Sequence, residues 1–189
     1  MIFVNSSNQT LYLFEDDRLI FESKISTSKY GMGCRMNSFK TPTGLHSISS
    51  MLGKGLPAGT LFKNRRPTEK VIKKIPLDDS DYITSRILRL NGLEEGKNKG
   101  GDVDSYNRFI YIHGTPHWNT LGSKQSQGCV RMSDRDVIKL TLKLNIIDIA
   151  PVIQTFERYK YTVAASYNQS ENKDNLGDRY DLLMRYLNP

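Results

Sequence analysis

Residues 108–114, RFIYIHG, constrain the fold of this chain more than any other stretch. In an extended strand successive side chains point to opposite faces, so Phe109, Tyr111 and His113 share one face. Ile110 and Ile112 share the other. A period of two fits a strand and does not suit one face of a helix. The same signal recurs upstream. TLYLFE (10–15) and RLIFESKIST (18–27) are β-rich runs joined by the turn-forming pair Asp16 and Asp17. KTPTGLHSI (40–48) places a Pro-Gly turn before an alternating run over 45–49. In DYITSRILRLNG (81–92), Ile83, Ser85, Ile87 and Arg89 alternate with Thr84, Arg86, Leu88 and Leu90, and Asn91 and Gly92 end the run.

Between these runs, GMG (31–33), GLPAGT (55–60) and NRRP (64–67) read as loops. EEGKNKGGDVDS (94–105) is glycine-rich, charged and poor in apolar residues, which predicts a surface loop. SDRDVIKLTLKL (133–144) predicts a helix with Ser133 or Asp134 as N-cap. Asp136, three residues after Ser133, completes a capping box with aspartate in place of glutamate. IIDIAPVI (146–153) reads as a closing strand. Beyond Phe156 the chain turns polar before an amphipathic helix predicted over 178–187. The expected fold class is mainly β with a few short helices and a C-terminal helical appendage. The expected division is a domain over 1–153 and an extension over 154–189.

At 189 residues the chain is long enough for a hydrophobic core without covalent staples. Its two cysteines, Cys34 and Cys129, are too few for a disulfide framework. The formal net charge is +7 and is densest over 63–74, KNRRPTEKVIKK. That run reads as a solvated face; it lacks the interleaved aromatics that stack bases, so no nucleic-acid partner is expected. No stretch approaches the ~20 apolar residues that span a bilayer, so no stable membrane insertion is expected. The N-terminal residues show no signal-peptide pattern.

The chemistry concentrates in two short segments. SKQSQGCVRM (123–132) holds Cys129, and YIHGTPHW (111–118) holds His113 and His117, two of the three histidines. A thiol becomes a nucleophile when a base takes its proton or a positive environment stabilises the thiolate. Sixteen residues separate His113 from Cys129, enough for a strand end, a loop and a return. Gly128 admits close approach of another group to the backbone beside the sulfur. Taken on these residues alone, Cys129 is either such a nucleophile or a small buried side chain. A zinc site on His113, His117, Cys34 and Cys129 has the wrong spacing, because the glycine and proline in HGTPH exclude a helical pair, and no metal or other cofactor is expected. His46 and His117 read as structural or surface groups, and Cys34 as an ordinary buried or loop cysteine.

HGTPHWNTLGSKQSQGCVRM (113–132) resembles the signature of the L,D-transpeptidase catalytic domain, the YkuD-like or ErfK/YbiS/YcfS/YnhG family. A strand histidine and glycine, here His113 and Gly114, precede a Ser-His-Gly-Cys segment, here Ser126, Gln127, Gly128 and Cys129, followed by Val130 and Arg131. QTLYLFEDDRLIFESKIST and TPTGLHSI are similar to the family's opening strands and Thr-Pro-x-Gly turn, and the resemblance covers about residues 1–153. Gln127 departs from the usual histidine; it can hydrogen-bond but cannot act as a base near neutral pH.

The resemblance implies a β-rich, sandwich-like domain with the cysteine in a cleft. It also implies two-step acyl transfer on peptidoglycan stem peptides. Cys129 attacks and forms a thioester with loss of the terminal D-alanine, and an amine resolves it as a 3→3 cross-link. Water as acceptor gives L,D-carboxypeptidase activity instead, and a non-catalytic wall-binding module is a third alternative. In this scheme His113 is the base, the Gly114 carbonyl orients its ring, and the N–H groups of Gly128 and Cys129 hold the oxyanion. Arg131, Gln127 and Ser126 are candidate substrate contacts, with Arg131 pairing a substrate carboxylate or lying at the surface. Tyr111 lines the cleft or packs beside it. The resemblance implies the cell envelope as location; the lack of a signal-peptide pattern keeps the cytoplasm as the alternative. Neither composition nor spacing speaks to the oligomeric state.

Overall fold

The computed structural model describes residues 1–78, 80–144 and 152–155. The chain opens with β1 (Ile2–Asn5) and the hairpin of β2 (Thr10–Glu15) and β3 (Arg18–Ser26). Asp16 and Asp17 take φ of 45° and 64°, the left-handed pair whose twist matches a two-residue hairpin. Next comes β4 (Gly44–Leu52), and then a second hairpin of β5 (Thr60–Lys63) and β6 (Arg66–Val71). Residues 55–59 are a loop as expected, and the hairpin corrects the loop reading only at Thr60, which opens β5, and at Arg66 and Pro67, which open β6. Asn64 and Arg65, at φ of 49° and 66°, form its turn. Pro67 lies in β6 at the end of the sheet, where a missing N–H is tolerated.

The remaining elements are β7 (Ile83–Gly92), β8 (Tyr111–Thr115), β9 (Val130–Ser133), α1 (Asp134–Leu144) and β10 (Val152–Thr155). Helix α1 begins with the Ser133 N-cap expected from the sequence, but Asp136 turns back to the Ser133 hydroxyl rather than to its N–H, so the N-cap half of the expected capping box is the part that forms. Ser133 Oγ accepts the Asp136 N–H at 3.0 Å and donates to Asp136 Oδ2 at 2.8 Å. The ten strands among the described residues form one sheet in the order β4-β10-β1-β2-β3-β9-β8-β7-β5-β6, and β4 also pairs with β7. That last pairing closes the sheet on itself. Strand β10 runs parallel to β1 and antiparallel to β4, so the end of the domain fills the gap between its beginning and its middle.

Alternation sorts the side chains. Ile2, Val4, Leu11, Leu13, Leu88, Leu90, Ile112, Val130 and Met132 join Val137, Leu140 and Leu144 of α1 in the main core. Phe3 and Phe14, one position out of step, form a second cluster. Phe62, Ile87 and Tyr111 form a third, against which Cys129 packs.

Two strand readings need adjustment. Phe109 is not part of β8: its φ of 57° breaks the pleat and leaves it 46% exposed, so the shared face begins at Tyr111. In β7, Ser85 also has positive φ, at 62°, and the register with β8 shifts between Thr84 and Ile87. The strict alternation expected there is broken by this bulge.

The 94–105 segment is a loop as expected, but it is tied down rather than free. Asn98 is fully buried and donates Nδ2–H to the carbonyls of Thr43 at 2.7 Å and Leu45 at 3.0 Å. Of the expected strand over 146–153, residues 152 and 153 lie in β10, while 146–151 and the expected helix over 178–187 lie outside the described residues. Among the described residues no helix is long and apolar enough to cross a membrane.

Candidate active site

Strands β8 and β9 run parallel, with Ile112 opposite Val130 and His113 opposite Arg131. Ile112 and Val130 point into the main core. Their neighbours Tyr111, His113 and Arg131 therefore face the other way, and Cys129, one residue before β9, shares that side. The fifteen residues between His113 and Cys129 thus return the thiol to the strand beside the imidazole.

His113 is fully buried, and its Nδ1 lies 2.8 Å from the carbonyl of Gly114. A carbonyl only accepts, so Nδ1 carries the proton and Nε2 is left with a free lone pair. Nε2 is buried without a hydrogen-bond partner. Cys129 Sγ donates instead to the Phe109 carbonyl at 3.6 Å. The two reactive groups share one face of the sheet without a hydrogen bond between them.

Burial, above all, sets their electrostatics. It lowers the His113 pKa below the usual imidazole value, against the opposing negative charge of Asp81, the Gly114 carbonyl and Asp134, and with added repulsion from Arg131. It pushes the Cys129 thiol up to about 12, with Asp81 as the next largest cause. The resting pair is a neutral thiol and a neutral imidazole.

Gly114 lets the chain pass a crowded point. A Cβ there would lie 2.5 Å from both Asp134 Oδ1 and the Thr84 carbonyl. Asp134 Oδ1 accepts from Thr84 Oγ1 and Ser85 Oγ, each at 2.6 Å. Two consecutive hydroxyls reach one oxygen because the bulge at Ser85 brings both to the same side. Burial holds the Asp134 carboxyl above its ordinary value, opposed first by those two hydroxyls and then by His113 and Arg86.

The other candidates divide. Gly128 has φ of 124°, which favours glycine, but its N–H is already given to Ser126 Oγ at 3.2 Å. The expectation that this N–H is open to an oxyanion is corrected for the resting structure. Ser126 is fully buried and donates Oγ–H to the Cys129 carbonyl at 2.6 Å, so it shapes the turn rather than facing a ligand. Tyr111 is 4% exposed and packs with Phe62 and Ile87, which matches packing and not cleft lining. Gln127 is exposed, and its backbone N–H donates to Asp81 Oδ2 at 3.3 Å. Arg131 is not a surface group: it is 4% exposed, with Nη1 3.3 Å from Asp81 Oδ1.

His46 is structural, its ring held between the Gly44 carbonyl at 3.0 Å and Ser105 Oγ at 2.8 Å. His117 is buried with Nε2 3.1 Å from the Ser80 carbonyl, and it stacks on Tyr82. Cys34 and Cys129 are both free thiols.

Asp81, Asp134, Thr84 and Ser85 were not singled out from the sequence. Asp81 precedes the alternation that starts at Ile83, and its partner Arg131 is 50 residues away. The Thr84–Ser85 bulge sits inside a run whose alternation looks regular. Only Asp134, at the start of a predicted helix, carried a signal, and that signal pointed to capping.

Residues 1–152 match the sequence model of the YkuD family, described as the L,D-transpeptidase catalytic domain. No curated protein sequence matches the chain. Among solved structures, an L,D-transpeptidase from Mycobacterium smegmatis aligns at 14% identity and TM-score 0.47, covering 82% of this chain and 57% of that one. An Enterococcus faecium L,D-transpeptidase aligns at 14% identity and TM-score 0.47, covering 82% and 48%. L,D-transpeptidase 3 from Mycobacterium tuberculosis aligns at 18% identity and TM-score 0.45, covering 82% and 60%. The chain therefore spans about half to three-fifths of the length of these structures.

Proposed function

The chain belongs to the L,D-transpeptidase catalytic domain family, and from that premise we propose that it is a cysteine acyltransferase acting on peptidoglycan stem tetrapeptides. The observation that carries this reading is the unpartnered, buried Nε2 of His113 on the sheet face it shares with Cys129. A base needs a fixed tautomer with an open lone pair, and the Gly114 carbonyl supplies the fixing. Catalytic hydrogen bonds are commonly longer in a resting site than in the complex, so rotation of the thiol from Phe109 towards Nε2 is the closing step.

The reaction then follows in two stages. Nε2 takes the Sγ proton as sulfur attacks the carbonyl of the third stem residue, forming a C–S bond. The tetrahedral centre collapses with cleavage of the C–N bond, and the proton passes to the departing amine of D-alanine. A neighbouring stem amine attacks the thioester, loses its proton to His113, and expels the thiol to give a 3→3 cross-link. Water in place of the amine gives the free tripeptide, an L,D-carboxypeptidase outcome.

Incubation with tetrapeptide muropeptides and mass analysis of the products tests this. Cross-linked dimer supports transfer, tripeptide alone supports hydrolysis, and intact substrate under all conditions removes the reading. The cell envelope is the location proposed with it, because the cross-linked polymer lies there. Recovery of tagged protein only with a cytoplasmic marker would move the reaction to soluble peptides.

A further inference from the structure

Arg131, on the sheet face that the thiol shares, lines a cavity of about 160 Å³ together with Lys29, Asp81, His117 and Gln127, among others. That is small beside the ~300–1,000 Å³ of a drug-sized pocket and suits one small residue. Resting on the reading of Cys129 as the acyl carrier, we propose that this cavity binds the free carboxylate of a peptide, and that Asp81 holds the carboxylate's place on Arg131 in the resting protein.

The argument starts from the guanidinium. Arg131 is 4% exposed, and a buried charge is costly without a partner. Yet its pairing is incomplete. Nη1 meets Asp81 through one oxygen at 3.3 Å, Nη2 reaches Ser26 Oγ only at 3.4 Å, and Nε is buried with no partner. An arginine fork fits a carboxylate through two parallel bonds, an arrangement Asp81 does not make. The fork of a residue that lines the cavity is therefore incompletely used.

Asp81 reaches this place from outside the strands. It lies between β6 and β7, on a segment strapped to the facing loop by the Ser80 carbonyl on His117 Nε2 and by Tyr82 stacked on the same ring at 6.1 Å. Its second oxygen accepts the Gln127 N–H at 3.3 Å. A ligand carboxylate at this spot would gain Arg131 and that N–H, with exposed Lys29 as a further cation at the rim. The exchange replaces one negative charge by another, so the buried guanidinium stays neutralised throughout. Gln127 and Arg131 lie two residues on either side of Cys129 in the chain, so the proposed carboxylate site and the thiol belong to the same short segment.

The test is an NMR titration of isotope-labelled protein with N-acetyl-D-alanine and, separately, its amide. The Arg131 Nε–H and the Gln127 backbone N–H are the reporters. The acid should shift both signals saturably and the amide should not. Asp81→Asn, which removes the competing carboxylate, should lower the half-saturating concentration about tenfold, equivalent to ~1.4 kcal/mol. Lys29→Gln, at an exposed position, should raise it a few-fold and serves where Asp81→Asn does not fold. Equal shifts from acid and amide, unchanged affinity in Asp81→Asn, or in its absence unchanged affinity in Lys29→Gln, would overturn the proposal. Carboxylate-selective binding without any muropeptide product would leave this site standing and remove the proposed reaction. Turnover without carboxylate selectivity would do the reverse.

Discussion

At the residue scale the site is held back from ionising. Burial raises the Cys129 thiol to about 12 and lowers the His113 imidazole, so neither is charged at neutral pH. Alkylation of Cys129 by iodoacetamide, followed by mass spectrometry to separate it from Cys34, is expected to be slow at pH 7. The rate should climb about tenfold per pH unit towards pH 10, because the thiolate is the reactive species. A plateau below pH 8 would reveal a preformed thiolate and contradict the neutral pair. Cys129→Ser is expected to abolish acyl transfer, since a serine hydroxyl is far harder to ionise beside a neutral imidazole. Cys34→Ser should leave product formation within about twofold, because the Cys34 thiol is engaged with Thr43 rather than with the pair. Equal losses from both would instead implicate the two cysteines as a unit.

At the element scale, two strands carry polar groups in places that make them stability determinants. His46 on β4 is fully enclosed, and burial pushes its pKa down to about 4 from 6.5, against the raising influence of the Gly44 carbonyl. The folded protein resists protonation there while the unfolded chain accepts it. Stability should therefore fall as pH drops from 6.5 towards 4, by up to about 3 kcal/mol at ~1.4 kcal/mol per unit. Urea denaturation at pH 7, 5.5 and 4.5 measures this; a His46→Gln variant should lose that part of the acid slope. On β7 the bulge at Ser85 links three elements. Ser85 Oγ accepts the Gly59 N–H at 2.8 Å and donates to Asp134 at 2.6 Å. Ser85→Ala strands the buried Gly59 N–H and leaves Asp134 Oδ1 with Thr84 Oγ1 alone, at a cost of about 1–3 kcal/mol for the stranded donor by the usual desolvation penalty. A denaturation midpoint unchanged by this substitution would show that the network contributes little.

At the scale of the whole molecule, closure of the sheet depends on its last strand. β10 supplies pairs to β1 and β4 together, while β4 and β7 pair on the far side of β4. Without β10, β1 and β4 each present an open edge, the kind of surface that templates aggregation. A chain ending at residue 151 is expected to lose cooperative unfolding and to aggregate on heating. Circular dichroism melts and light scattering check this against the full chain; a sharp, reversible melt in the shortened form would show that the sheet closes by other contacts.

Alternation and turn chemistry specified most of the strands, the hairpin at Asp16 and Asp17 and the N-cap at Ser133, while residue type and the family resemblance nominated His113 and Cys129 as a pair. These are local properties, set by a period of two or by a few adjacent residues. The hairpin at Asn64 and Arg65 was missed because its strands are short and one contains Pro67. Which groups surround the thiol was decided by tertiary structure. Asp81 meets Arg131 across 50 residues, and Thr84 and Ser85 meet Asp134 across about as many, through a bulge that alternation does not announce. Ionisation of the site followed the same rule. The sequence could nominate a cysteine and a histidine, but burial set the direction of both pKa shifts, and burial belongs to the packed sheet.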